Sequence, residues 1–397
     1  MEILEMQVER EIQPLSARIL VADDYADILI ALKMLFAGHD YQVVSASDPG
    51  SVLAALQSQT FDLVLMDLNY TRDTTGGAEG LELVSRIRSL DRTIPLLVMT
   101  AWGNIEIAVE AMQRGASDFV QKPWDNNELL AKVQKQVESG RVLRRSLRKQ
   151  EEEALEAREI QKSLLPRVVP QVPGYEIAAS TNPVRFIGGD YYDIVKISET
   201  QTAFCIADVA GKGLPGALLM SNLQAALKPL IRDGVPPDEL CSRLNRTLCE
   251  IMPTNRFVSF FYGVLDSTTN LLTYCNAGHN PPLLVRSDGS TSELRSSGAI
   301  LGRLPDWRYE QVIQNLSGGD ILLLFTDGVV EACDENDEPF GEERLLHFTR
   351  ETDNCSAMAC LERLSRAVSA HCSGKFQDDA TMIVLQEKWD SRKLEIC

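Results

Sequence analysis

The sequence predicts an α/β protein in which two mixed domains are joined by a long helix. Three observations predict it. From Arg18 onward, five short apolar runs alternate with helix-length amphipathic segments. From Lys135 to Leu165 the strand signal vanishes and apolar residues recur at heptad spacing. From Tyr175 onward, β-like runs return in closely spaced pairs among helical patterns. At about 150 residues per domain, the 397 residues divide into a tail at 1–16, a first domain at 17–137, a helical linker at 138–165 and a second domain at 166–390.

The elements follow in order. Met1 to Pro14 alternates Glu with Ile, Leu and Val, with neither a basic segment nor a long apolar run, so it does not read as a signal peptide. The first strands are Ile19–Ala22, Gln42–Ser45, Leu63–Met66, Leu96–Met99 and Asp118–Val120. Between them lie helical patterns at Ile28–Phe36, Gly50–Gln57, Leu81–Ser89 and Ile105–Arg114. Strands alternating with helices build a doubly wound parallel sheet, which binds ligands at the carboxyl ends of its strands. Those ends carry Asp23, Asp24, Asp67, Thr100 and Lys122.

In the linker, Leu143, Leu147, Gln150, Ala154, Ala157, Gln161 and Leu164 follow 4,3,4,3 spacing, the seam of a coiled coil. The basic block Arg141–Lys149 precedes the acidic block Glu151–Glu159, as in a solvated helix with i,i+4 pairs. We expect a dimerising helix between the domains, with a single surface helix as the plainer alternative. Pro166, Pro170 and Pro173 end it. The second domain has β-like runs at Ala203–Ala207, Phe257–Leu265, Leu271–Asn276, Ile321–Thr326 and Ala380–Leu385. Helical patterns fall at Gly216–Ile231, Pro237–Ile251 and Cys355–Ser369. Asp190, Asp208, Asp327, Asp378 and Asp379 punctuate its strand ends.

Composition excludes several classes. With 39 Lys and Arg against 57 Asp and Glu, the net charge of −18 opposes a nucleic-acid surface and adhesion to anionic membranes. No stretch approaches the roughly 18 apolar residues of a membrane span. Nine cysteines without a CxxC pair, and four scattered histidines, argue against a zinc cluster and for a reducing, cytoplasmic setting.

The acids carry the chemistry. Asp23 and Asp24 suit a hard Mg²⁺ ion, Asp67 a carboxylate nucleophile, Lys122 the neutralisation of a phosphoryl group, and Thr100 a hydrogen bond to it. In the second domain, separated aspartates at strand ends suit two Mg²⁺ or Mn²⁺ ions, which together can activate water and clamp a phosphoryl group. Gly211-Lys212-Gly213-Leu214-Pro215-Gly216 matches GxGxxG. It follows Asp208 directly, however, and has Pro215 at its helix entry, so we read it as close packing at a helix start rather than a dinucleotide site.

Over about residues 17–137 the chain resembles the receiver domain of two-component response regulators. The residues that carry the resemblance are Val21-Ala22-Asp23-Asp24, Leu65-Met66-Asp67-Leu68-Asn69, Val98-Met99-Thr100-Ala101 and Gly115 to Pro123. It implies a flavodoxin-like (βα)5 fold phosphorylated on Asp67 by a sensor histidine kinase. It further implies Asn69 as a metal ligand through its carbonyl, Thr100 and Phe119 as switch residues, and a cis Lys122-Pro123 bond. Tyr70 to Glu79 departs from the family in being longer and lacking Pro.

Over about residues 155–388 the chain resembles PPM-type protein phosphatases (protein phosphatase 2C), in the branch of the sporulation stage II E and stress-response enzymes. The matching pieces are Glu159 to Pro166, Gly188 to Asp193, Ala207 to Gly213, Asn276 to Pro282, Phe325 to Glu331 and Asp378 to Thr381. The resemblance implies an α-β-β-α sandwich that hydrolyses phosphoserine or phosphothreonine on a protein, an anti-sigma-factor antagonist. Asp190, Asp208, Asp327 and Asp378 would bind the metal pair, with Asp208 bridging, Val209 offering its carbonyl and Asp379 second to Asp378. Arg185 is a candidate phosphate ligand or a surface arginine, and His279 a turn residue or one near the site. The alternative is a non-catalytic partner-binding module on the same fold.

Overall fold

The computed structural model describes residues 16–70, 77–101, 105–295, 298–350 and 355–388. The expected tail up to residue 15, and residues 71–76 of the long loop after Tyr70, lie outside them. The chain forms two compact units, Met1–Glu152 and Glu153–Cys397.

The first unit runs β1 (Arg18–Ala22), α1 (Ala26–Ala37), β2 (Gln42–Ala46), α2 (Pro49–Ser58), β3 (Leu63–Asp67), α3 (Ala78–Leu90), β4 (Leu96–Thr100), α4 (Ile105–Gln113), β5 (Asp118–Gln121) and α5 (Asn126–Leu164). Its sheet has the order β2-β1-β3-β4-β5 and is parallel throughout. Alternate residues explain why these strands read as unbroken apolar runs. Ile19, Val21, Leu63, Leu65, Leu97 and Met99 pack on Leu32 and Phe36 of α1 and on Leu129, Val133 and Val137 of α5. Leu20, Val64, Met66, Leu96 and Val98 face the opposite way, toward Val52, Leu81, Val84, Ile87 and Ala111 of α2, α3 and α4. The strand order reverses beside β1, which opens the crevice where Asp23 and Asp67 emerge.

Helix α5 has 39 residues and begins nine residues before the expected Lys135, because the sequence pattern was masked where the helix packs under the sheet. The basic block is only partly solvated. Arg141 Nε pairs with Asp62 at 3.1 Å, and Arg144 donates to the Phe61 carbonyl at 2.9 Å. Gly140 lets the helix pass close to Pro95, whose Cγ would lie 2.4 Å from an added Cβ. Along the predicted seam, Leu143 and Leu147 are exposed, whereas Leu164 packs against the core of the second unit.

The second unit comprises β6 (Tyr175–Asn182), β7 (Tyr191–Lys196), β8 (Gln201–Val209), α6 (Leu214–Arg232), α7 (Pro237–Ile251), β9 (Val258–Asp266), β10 (Leu271–Ala277), β11 (Leu283–Val285), β12 (Thr291–Glu293), β13 (Val312–Asn315), β14 (Ile321–Phe325), α8 (Asp327–Val330), α9 (Gly341–Arg350), α10 (Ala357–His371) and β15 (Ala380–Glu387). Two antiparallel five-stranded sheets result, ordered β13-β10-β9-β8-β7 and β12-β11-β14-β15-β6. Their facing sides share one core: Phe204, Ile206 and Phe261 of one sheet meet Leu322, Leu324 and Ile383 of the other. The outward residues of β8 and β9 are covered by α6 and α7. Those of β14 and β15 are covered by α9 and α10. The layering is therefore α-β-β-α. No helix among the described residues is long and apolar enough to cross a membrane.

Candidate functional site

Two acid clusters lie at strand ends, one in each unit. In the first, β1 delivers Asp23, β3 ends on Asp67, β4 ends on Thr100, and Lys122 follows β5. Lys122 Nζ lies 2.7 Å from Asp23 Oδ2 and 2.8 Å from Asp67 Oδ2. Asp67 Oδ1 accepts the Leu68 N–H at 2.8 Å, and Asp23 Oδ1 accepts the Tyr25 N–H at 2.9 Å. Burial pushes the Asp67 carboxyl above its usual range, an effect that Lys122 only partly offsets. Burial also opposes the charge of Lys122, but Asp23 and Asp67 outweigh it and hold its pKa above the usual value.

The site fits a divalent cation. Ligand atoms of Asp23, Asp24 and Asp67 all fall within 4.8 Å of one another. Among the described residues, the buried Oδ1 atoms of Asp24 and Asn69 have no hydrogen-bond partner. Hard oxygen donors left unsatisfied at such a point are what Mg²⁺ accepts. Thr100 is buried, with its hydroxyl 3.5 Å from the Ala101 carbonyl, too long for a strong bond. Phe119 is half-buried, and Lys132 Nζ lies 5.3 Å from its ring centroid. The Lys122-Pro123 bond is cis.

In the second unit each sheet contributes acids at the same end of the sandwich. Asp190 precedes β7, and Asp208 and Val209 end β8 in the first sheet. Asp327 follows β14, and Asp378 precedes β15 in the second. Burial pushes Asp208 up to about 7, and the neighbouring charges of Asp327, Asp378 and Asp379 add to it. Asp190 is held well above the usual carboxylate range by burial and by the charge of Asp208. Asp327 is raised by burial and by Glu331 and Asp378. Carboxylates that raise one another in this way form a donor set that multivalent cations neutralise. Gly189 and Val209 approach closely: an added Cβ at Gly189 would sit 2.7 Å from the Val209 carbonyl oxygen. Lys212 is a countercharge at the rim, 2.7 Å from Asp378 Oδ2.

The paired acids differ. Asp379 Oδ1 accepts the Val184 N–H at 2.8 Å and its Oδ2 the Gly189 N–H at 2.7 Å, so both oxygens are committed to backbone. Asp378 is half-buried and faces Asp208 and Asp327. Sequence reasoning missed the groups that orient Asp190. Its Oδ2 accepts the Thr326 hydroxyl at 2.8 Å and lies 2.6 Å from Thr381 Oγ1. Both threonines stand in the quoted motifs, Thr326 next to Asp327 and Thr381 two residues after Asp379, and that proximity was the available signal. His279 is buried, with Nδ1 2.8 Å from Ser259 Oγ and its backbone N–H bonded to Asn276 Oδ1 at 2.8 Å. Ser259 is the register partner of Asp208 across β8 and β9, so His279 lies beside the strand end that carries Asp208. Arg185 is exposed, and its Nη1 would lie 3.5 Å from a Cβ on Gly213. In the glycine-rich stretch, a Cβ on Gly216 would meet the Gly211 carbonyl at 2.0 Å, so these glycines serve close backbone packing at the start of α6.

Comparison with known proteins follows this geometry. Residues 198–388 match the family described as stage II sporulation protein E (SpoIIE). Residues 19–134 match the response regulator receiver domain. Phosphoserine phosphatase RsbU of Bacillus subtilis (strain 168) is 34% identical over 234 residues, covering 58% of this chain and 69% of RsbU. Protein IcfG of Synechocystis sp. is 26% identical over 333 residues, covering 74% of this chain and 51% of IcfG, so the chain spans about half the length of that relative. The SiaA-PP2C domain of Pseudomonas aeruginosa shares the fold of the second unit, with a TM-score of 0.55 at 19% identity, covering 62% of this chain and 99% of that domain.

Proposed function

The chain belongs to the SpoIIE family of phosphoserine phosphatases, with a response regulator receiver domain ahead of the phosphatase domain, and from that premise we propose that phosphorylation of Asp67 controls hydrolysis of phosphoserine or phosphothreonine on a partner protein. The observation that carries this reading is the presence of both acid clusters in one chain, each at the strand ends of its own unit. In the receiver, Asp67 is the phosphoacceptor for a sensor histidine kinase. Asp23, Asp24, Asp67 and the Asn69 carbonyl would hold Mg²⁺, and Lys122 and Thr100 meet the phosphoryl oxygens. Thr100 and Phe119 carry the change outward.

In the phosphatase, Asp190, Asp208, the Val209 carbonyl, Asp327 and Asp378 would hold two Mn²⁺ or Mg²⁺ ions. Those ions, when bound, supply countercharge for phosphoryl oxygens and a water of lowered pKa. The protein's part is to fix the ligands: Thr326 and Thr381 orient Asp190, Lys212 restrains Asp378, and Asp379 braces the Gly188-Gly189 turn. Among the described residues, Asp23, Asp24 and Asp67 are the only trio of potential ligands within 4.8 Å. By likeness to RsbU the substrate is a phosphoprotein, and we take it to be an anti-sigma-factor antagonist. We further take the exposed Leu143 and Leu147 of α5 as the seam of a homodimer.

The test is dephosphorylation of a phosphorylated antagonist protein in Mn²⁺, with and without acetyl phosphate, by the wild type, Asp67→Asn and Asp208→Ala. We expect acetyl phosphate to change the wild-type rate several-fold and to leave Asp67→Asn unchanged, while Asp208→Ala loses at least 100-fold (an order-of-magnitude expectation for a lost metal-site ligand). Full turnover by Asp208→Ala, or an equal response from Asp67→Asn, would refute the respective half.

A further inference from the structure

We propose that Gln161, in the last turn of α5, is a positioning residue for the metal-binding acids of the phosphatase, which makes the end of the linker helix part of that site. The inference rests on the reading of Asp190 and its neighbours as metal ligands. Gln161 Nε2 donates to the Gly188 carbonyl at 2.7 Å, and Gln161 Oε1 accepts the Gly188 N–H at 3.1 Å. One side-chain amide thus satisfies both backbone groups of Gly188, as a paired strand would, but from a helix.

The turn it grips is wedged from the other sides as well. An added Cβ at Gly188 would lie 2.3 Å from Asp379 Oδ2, and the Gly189 N–H donates to that same oxygen at 2.7 Å. Gly189 is also packed against the Val209 carbonyl. Asp190 is the next residue, buried, with one oxygen held by Thr326. The amide of Gln161, the carboxylate of Asp379 and the carbonyl of Val209 therefore fix the backbone from which Asp190 projects. Beside the clamp is a cavity of about 80 Å³, walled by Arg158 and Lys162 of the same helix and by Asp190 and Asp379. If the amide is lost, the turn has space to relax and Asp190 leaves its position. Metal ligands lose affinity steeply when the groups that orient them are removed.

The experiment measures Mn²⁺ binding to the full-length chain by electron paramagnetic resonance of free Mn²⁺, with Asp24→Asn present throughout to weaken the receiver site. Gln161→Met fills the same space without hydrogen bonds, and we expect its Kd for Mn²⁺ to rise about tenfold. Gln161→Glu keeps the acceptor for the Gly188 N–H but loses the donor, and should fall between Gln161→Met and the wild type. Ser163→Ala, on the exposed side of the same turn, should bind as the parent does. Turnover by Gln161→Met should recover at saturating Mn²⁺, which a damaged fold would not allow. Equal affinity in the parent and in Gln161→Met overturns the inference. If Gln161→Met does not fold, equal affinity in Gln161→Glu overturns it instead. Absence of Mn²⁺ binding by the phosphatase of the parent overturns the metal assignment itself, and the inference with it.

Discussion

Lys122 is held between two buried carboxylates of the receiver, at 2.7 and 2.8 Å. Removing one partner of a buried pair leaves uncompensated charge and costs about 3 kcal/mol. Lys122→Ala should therefore lower receiver stability by about that amount in urea titrations without divalent ions, and added Mg²⁺ should restore part of it. His279 sets a pH dependence in the other unit. Burial holds its pKa at about 4, against 6.5 for the free side chain. Between those values the unfolded chain binds the extra proton, so stability is full above about 6.5 and is lost as the pH falls toward 4. From pH 7 to pH 5 the loss is about 2 kcal/mol, and urea unfolding of the phosphatase unit in the wild type and in His279→Gln should differ in that window. The acids of both sites were legible because each stands at one end of an apolar run, Asp23, Asp67, Asp208 and Asp327 after it and Asp190 and Asp378 before it. Gln161, Thr326 and Thr381 were not, because a side chain that serves a backbone group or another side chain leaves no periodic trace.

Among the elements, α5 departs furthest from its sequence pattern. Its heptad spacing runs unbroken from Leu143 to Leu164, yet its residues have different partners. Arg141 and Arg144 tie it to the receiver unit, and Gln161 and Leu164 to the phosphatase unit. What remains for self-association is the stretch with Leu143, Leu147 and the exposed Leu155. Leu143→Lys with Leu147→Lys puts like charges in that seam, and light scattering should show the dimer falling to monomer mass, whereas an unchanged mass would remove the dimer from the proposal. Strands β6, β7, β11, β12 and β13 were not read from the sequence. β6 is an edge strand of small and polar residues. β7 carries Asp193 in its middle, which reads as a breaker until Lys228 is seen 2.5 Å away and the Tyr191 hydroxyl 2.9 Å away.

For the whole molecule, the alternation of strand and helix was sufficient to read the parallel sheet of the receiver, because each crossover is local. The phosphatase sandwich was not readable in the same way. Its second sheet pairs β6 with β15 across most of the unit, and antiparallel partners so distant in sequence leave no local signature. That pairing has a consequence for how the enzyme can fail. Asp190 and Asp208 come from one sheet and Asp327 and Asp378 from the other, cross-linked by Thr326 and Thr381. On the proposed metal assignment, neither sheet holds a working half. Parting of the sandwich at that end would silence the chemistry long before the protein unfolds, so turnover acts as a gauge of whether the two sheets are closed on each other.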